Sequence, residues 1–319
     1  MRDRLLVPRS GLAVPRGLTR RGFLAGVAAA GLLAACGDDD ETGTATADTG
    51  GDAGGSDGAA AAGGLSIVRF YGPYYAAGKP ARVPFGLSDD EGLLSADLAP
   101  AEVTVAVRSP EAEEVAAGIT ATLFTEGLPR PYYAFEFTPE AAGFYDFVVD
   151  TDDGEVISQV QIVEADDETV SGIVGPGDQL PPLQTPTVDD ARGVTPICTR
   201  EPACELHTRT AAEVVGAGEP LALLVATPAF CQTTICGPVL DVLLEVLPDV
   251  PGVTAIHAEV YADPEGGQQP LDPAPVVGEL GLPFEPVLYT VGADGVVRAR
   301  LDYIFGTEEV RQVLEDLVA

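Results

Sequence analysis

Five cysteines and two histidines are the residues of this 319-residue chain whose chemistry can be read from type and spacing. Cys36 stands alone, while the other four form two close pairs, Cys198 with Cys204 and Cys231 with Cys236. An even number of cysteines in an oxidising compartment reads as two disulfides, and local pairing is the simplest of the three connectivities that four cysteines allow. On that pairing Cys198 and Cys204 close a small structural loop ahead of the first C-terminal helix. Cys231 and Cys236 are placed differently, between a continuous apolar run and an amphipathic helix. A cysteine at a helix N-terminus has its thiolate stabilised by unpaired backbone N–H groups and the helix dipole, which makes this pair a candidate for thiol–disulfide exchange. Residues five apart on a helix are rotated by about 140° from each other. A bond between the two sulfurs therefore needs Cys231 in the preceding loop, or a distorted first turn, with Cys231 attacking and Cys236 resolving. As a structural bridge the pair would contribute only about 2 kcal/mol. That reading, a redox-inactive surface binding module with two structural disulfides, stays open as the alternative.

The elements that position these residues follow from periodicity. From Leu65 to Ala165 short strands alternate with turn residues: 65–70, 82–87, 103–107, 119–125, 132–137, 143–149 and 155–163. Val156, Ser158, Val160 and Ile162 show the alternation of a half-buried strand. Seven such strands in a segment of this length predict a β-sandwich. Residues 166–196 are rich in Pro, Gly and Asp and read as a linker at a domain boundary. The last segment, 197–319, alternates helices and strands. The spacing predicts a helix over 208–215 and a doubly buried strand over 221–226. A helix with one apolar face (Val239, Leu240, Val242, Leu243, Val246, Leu247) comes next, then a strand over 253–261 and a helical turn near 276–280. A hairpin joined at 292–295 and a final helix capped by Thr307 complete the pattern.

A cysteine pair between a buried strand and the next helix, followed by strand, helix, hairpin and helix, resembles the thioredoxin fold over Cys198 to Ala319. The carrying residues are the run Thr227-Pro228-Ala229-Phe230-Cys231-Gln232-Thr233-Thr234-Ile235-Cys236-Gly237-Pro238 and the pair Glu285-Pro286. The resemblance implies a redox loop at Cys231 and Cys236, and a cis proline at Pro286 that lines a substrate groove together with Glu285. The pattern departs in spacing the cysteines by four residues rather than two, and in having no tryptophan. Four-residue spacing also occurs in one branch of the peroxiredoxins, so a thiol peroxidase is a further alternative. There the threonine three residues before the reactive cysteine is replaced here by Pro228. Copper-delivery members of the fold join two loop cysteines to a distant histidine. His207, three residues after Cys204, and His257, between Ile256 and Ala258, are the histidines available. His257 reads as a core or edge residue, and neither a metal nor a cofactor is expected. In the first segment, Gly143-Phe144-Tyr145-Asp146-Phe147 resembles the F strand of immunoglobulin-type sandwiches, with Phe147 standing where antibody domains carry a cysteine. The expected architecture is thus multidomain: an all-β immunoglobulin-like sandwich followed by an α/β thioredoxin-like domain.

Residues 1–35 read as a signal peptide. Six arginines precede or open the apolar stretch Phe23 to Ala35, which is shorter than the roughly 20 residues a spanning helix takes. Thr19-Arg20-Arg21-Gly22-Phe23-Leu24 resembles a twin-arginine export signal. Leu33-Ala34-Ala35-Cys36 resembles a lipobox, which implies lipidation of Cys36 and a lipoprotein anchored to the extracytoplasmic face of the cell membrane. Residues 36–64 contain only small, hydroxylated and acidic side chains beyond the cysteine and read as a disordered tether. Without residues 1–35 the chain keeps 11 basic and 49 acidic side chains, a net charge of −38, and Lys79 is its one lysine. So few cations exclude a nucleic-acid-binding surface and favour repulsion from anionic lipid headgroups. The partner expected is a protein thiol or disulfide.

Overall fold

A computed structural model describes residues 64–319 apart from 73, 153, 232–233 and 268–269. The expected signal peptide, the lipidated Cys36 and the tether before residue 64 lie outside the described residues. Among the described residues no helix is long and apolar enough to cross a membrane.

The first half is all β. Strands β1 (Ser66–Arg69), β2 (Tyr75–Ala76), β3 (Ala81–Ser88), β4 (Glu102–Arg108), β5 (Glu114–Phe124), β6 (Tyr132–Phe137), β7 (Gly143–Thr151) and β8 (Gly154–Val163) follow one another in the chain. They hydrogen-bond in the order β1-β3-β6-β5-β4-β7-β8-β2. β5 pairs with β4 up to Thr122 and with β6 from Leu123, so one long strand carries the ladder from one sheet to the other. Alternation along each strand sends every second side chain inward. In β8 that inward set is Val156, Ser158, Val160 and Ile162, all buried. The sandwich core gathers Val83, Phe85, Val105, Phe135, Phe147 and Val149. Phe147 meets Phe135 and Phe137 edge-on, at ring separations of 5.2 and 5.3 Å. Tyr145, two residues earlier, donates its hydroxyl to the carbonyl of Ala141 at 3.0 Å and so ties the turn to the strand it precedes. The two-residue β2, which lies parallel to β8, is too short to leave a period in the sequence.

Residues 166–196 form no helix or regular strand. They nonetheless lie against the second half, where Leu180, Leu183 and Val194 join its core. Backbone bonds run from Gly177 to Val297 and from Leu180 to Gly295, both at 2.9 Å.

The second half is a four-stranded sheet with helices. Its elements are α1 (Ala211–Gly216), β9 (Leu221–Val225), α2 (Cys236–Val246), β10 (Thr254–Ala258), α3 (Pro275–Leu280), β11 (Val287–Val291), β12 (Val297–Asp302) and α4 (Thr307–Val318). The strand order is β10-β9-β11-β12, with β10 parallel to β9 and β11 antiparallel to both its neighbours. Every residue of β9 is buried, because one face of the sheet packs under α2 and α4 and the other under α1, α3 and the 166–196 segment. α1 begins with a reciprocal capping box between Thr210 and Glu213. At α4 the capping position falls on Gly306, one residue before the expected Thr307. A Cβ at 306 would lie 2.7 Å from the carbonyl oxygen of Glu126, so the approach of the sandwich requires glycine there.

The two halves meet through Arg82 of β3. Its guanidinium forks onto the carboxylate of Glu309 in α4 and donates to the carbonyls of Asp302 and Ile304. The Tyr132 hydroxyl donates to the same carboxylate and accepts the Gly306 N–H at 2.7 Å. Both members of the ion pair are nearly out of water, with side chains 7% and 13% exposed.

Candidate functional site

Two clusters of reactive side chains lie at the end of the second sheet. In the first, Cys231, Cys236 and Glu285 bring two sulfurs and a carboxylate oxygen within 4.8 Å of one another. Local sequence explains the arrangement. α2 starts at Cys236, and Pro238 occupies its first turn, where a missing N–H costs nothing. Cys231 lies outside the helix in a half-exposed turn, as the rotation argument requires. Thr234 between the cysteines has a left-handed backbone, φ 58°, which lets the chain turn back toward the helix. The Cys236 N–H donates to the Cys231 sulfur at 3.3 Å. Cys236 itself is buried, and burial pushes its thiol far above the usual range, with the Cys231 bond and the Glu285 charge adding to the effect.

Glu285 precedes β11 and is joined to Pro286 by a cis peptide bond. Pro286 is buried and accepts a backbone bond from Tyr303 at 2.9 Å. Burial raises the Glu285 carboxyl to about 8, with the Cys231 and Glu259 charges contributing in the same direction. Its Oε2 is buried without a hydrogen-bond partner. Near neutral pH this group holds a proton beside two sulfurs. Glu259 and Tyr261, which complete its surroundings, were not singled out from the sequence. A carboxylate inside the apolar run from Thr254 to Tyr261 was the available signal for the first of them.

The second cluster gathers Cys198, Cys204, His207 and His257, with ligand atoms again all within 4.8 Å. The parallel pairing of β10 with β9 sets His257 opposite Leu224 and buries it completely. The 198–207 loop lies over that strand end, fastened by the His257 N–H to the Leu206 carbonyl at 3.2 Å and the Thr199 N–H to the Glu259 carboxylate at 2.6 Å. The two sulfurs stand 3.8 Å apart. His257 Nδ1 lies 3.7 Å from the Cys198 sulfur and 3.6 Å from that of Cys204, and His207 Nε2 lies 3.3 Å from Cys204. The bond from Cys204, reinforced by His207 and His257, holds the Cys198 thiol well below its ordinary value, and the same bond pushes Cys204 up. The clusters are linked, since the Ala229 N–H, two residues before Cys231, donates to the Thr199 hydroxyl at 3.1 Å. Thus Cys231, Cys236, Glu285 and Pro286 come together in one place. Cys198 and Cys204 come together in another, with two histidines that sequence order had kept apart.

No family model matches the chain, and no curated protein matches it. Among solved structures the chain is similar to the crystal structure of the Lin-41 filamin domain. The likeness has 17% sequence identity and a TM-score of 0.23, covering 33% of this chain and 97% of that one.

Proposed function

We propose that the second half of the chain is a thioredoxin-like module that exchanges disulfides with protein substrates through Cys231 and Cys236. In this reading Cys36 carries a lipid that holds the protein at the extracytoplasmic face of the cell membrane, and the immunoglobulin-like sandwich spaces the module from the surface. The observation that carries the exchange reading is the asymmetry of the pair. Cys231 is half-exposed in a turn and receives an N–H from the first residue of α2, whereas Cys236 is buried beside Glu285.

That asymmetry divides the labour. The Cys231 thiolate attacks one sulfur of a substrate disulfide, the substrate's S–S bond breaks, and the departing sulfur leaves as a thiolate that takes up a proton. The Cys236 thiol then gives up its proton and attacks the Cys231 sulfur, and the second substrate sulfur leaves as a thiol. The protein dithiol is oxidised to a disulfide while one substrate disulfide is reduced to two thiols. Glu285, protonated near neutral pH with its carboxyl at about 8, is positioned to give its proton to the first departing sulfur and then, as a carboxylate, to accept the Cys236 proton. Run backwards, the same steps oxidise a substrate dithiol.

Trapping tests the proposal. Cys236→Ser should accumulate mixed disulfides through Cys231, and Cys231→Ser should accumulate few. If neither variant captures a substrate, and the pair resists reduction to below about −300 mV as structural disulfides do, exchange is refuted and a redox-inactive binding module takes its place.

A further inference from the structure

We infer that Cys198, Cys204, His207 and His257 form a closed, four-coordinate site for zinc(II), in place of the small structural disulfide that the cysteine spacing suggests. The geometry carries the assignment. Zinc binds thiolate sulfur at about 2.3 Å and imidazole nitrogen at about 2.0–2.1 Å, almost always tetrahedrally in structural sites. Those bond lengths imply edges of about 3.8 Å between sulfurs and about 3.5–3.6 Å between sulfur and nitrogen. The sulfurs here are 3.8 Å apart, and three sulfur–nitrogen edges measure 3.7, 3.6 and 3.3 Å. The remaining edges are all shorter than 4.8 Å.

A hydrogen bond behind the cluster orients the His257 donor inward. His257 Nε2 donates to the Ala226 carbonyl at 3.0 Å, which leaves the lone pair on Nδ1, the atom that faces both sulfurs. A ligating imidazole whose other nitrogen is fixed by a carbonyl is the usual second layer of a metal site. The Cys204 N–H donates to the Cys198 sulfur at 3.4 Å, as suits a thiolate. His207 and His257 are 2% and 0% exposed and Cys198 8%, so three of the four ligand residues are shielded from solvent, with Cys204 partly exposed. A disulfide would remove both thiol hydrogens and leave two buried imidazoles facing sulfurs with nothing to bond. A doubly charged ion with two thiolates and two neutral imidazoles is electrically balanced. Binding releases the two thiol protons to solvent. Two soft sulfurs and two imidazoles select zinc over magnesium or calcium, which take oxygen.

The ion would pin the 198–207 loop to the ends of β9 and β10, beneath the turn that carries Cys231. It needs no exchange chemistry at Cys231 and Cys236, and the test separates the two. The full chain, purified without chelator, should hold a single equivalent of zinc by elemental analysis. Stripped and given cobalt(II) alone, it should show thiolate charge-transfer absorption and the visible bands of a tetrahedral ion. Cys231→Ser/Cys236→Ser should keep both signals, and His207→Asn should lose them. Because His207→Asn can also unfold, the wild-type cobalt spectrum and the mapped thiols are read independently of it. A folded wild-type chain without zinc, with a peptide linked through Cys198 and Cys204, would overturn the assignment. Copper in place of zinc, or a cobalt signal that vanishes in the Cys231/Cys236 variant, would overturn it equally.

Discussion

Glu285→Gln isolates the buried proton beside the reactive pair. In the folded chain the carboxyl rises from an ordinary value of 4.5 to about 8, first through burial and then through the charges of Cys231 and Glu259. A carboxyl raised in this way binds more protons folded than unfolded between those two pH values, so stability falls as pH rises. The contribution is fully present below pH 4.5 and is lost as pH passes through about 8. At about 1.4 kcal/mol per unit the full shift corresponds to about 5 kcal/mol. Glu285 is only partly buried, and screening by solvent reduces the expected effect to about 2–4 kcal/mol. Glutamine keeps the shape and never ionises. Urea unfolding of the reduced protein at pH 5 and pH 9 should therefore show wild type losing about 2–4 kcal/mol more than Glu285→Gln across that interval. Because burial is the largest cause, most of the difference should survive in a Cys231→Ser background. Equal pH slopes in wild type and Glu285→Gln would refute the buried proton. A slope difference that disappears with Cys231 would refute burial as its main cause.

Cys36→Ala should release the protein from membranes or block its processing, as read by fractionation and intact mass; unchanged retention and processing would reject the lipid anchor. Arg82→Met leaves the Glu309 carboxylate buried without its cation and should cost about 3–5 kcal/mol in urea unfolding. Restoring balance with Glu309→Leu should recover most of that loss, and a single-variant cost below about 1 kcal/mol would show the pair to be solvated. Tyr145→Phe removes the hydroxyl bond to the Ala141 carbonyl and should cost about 1 kcal/mol without changing the circular dichroism of the sheet.

Much of the fold is legible because it is local. Period-two alternation places six of the seven longer strands of the sandwich to within two residues at each end, with Tyr132–Phe137 bounded as expected, while β5 begins at Glu114, five residues before the expected start. The apolar face of α2 reads directly from Val239 to Val246, and a bond across the five-residue step from Cys231 to Cys236 demands a sulfur outside the helix or a distorted first turn. Each of these depends on neighbours in the chain, whose geometry is set by backbone periods of 2.0 and 3.6 residues.

Composition alone also determined that the chain is strongly acidic, and spacing alone set four of its cysteines in two close pairs. Only the tertiary structure decided what surrounds each pair. His257 occupies an inward position of a strand, where a ligand and a core residue leave the same periodic trace. The pairing of β10 with β9 and the loop from Cys198 to His207 bring its Nδ1 to two sulfurs 59 and 53 residues away in sequence. Arg82 meets Glu309 across 227 residues in the same manner. Residues 166–196, whose prolines and glycines exclude regular elements, still pack Leu180, Leu183 and Val194 into the second core. Local backbone preference states which conformations a segment can hold. Which distant side chains then share a low-dielectric space is set by how the sheets and loops close upon one another, and that closure carries no period along the chain.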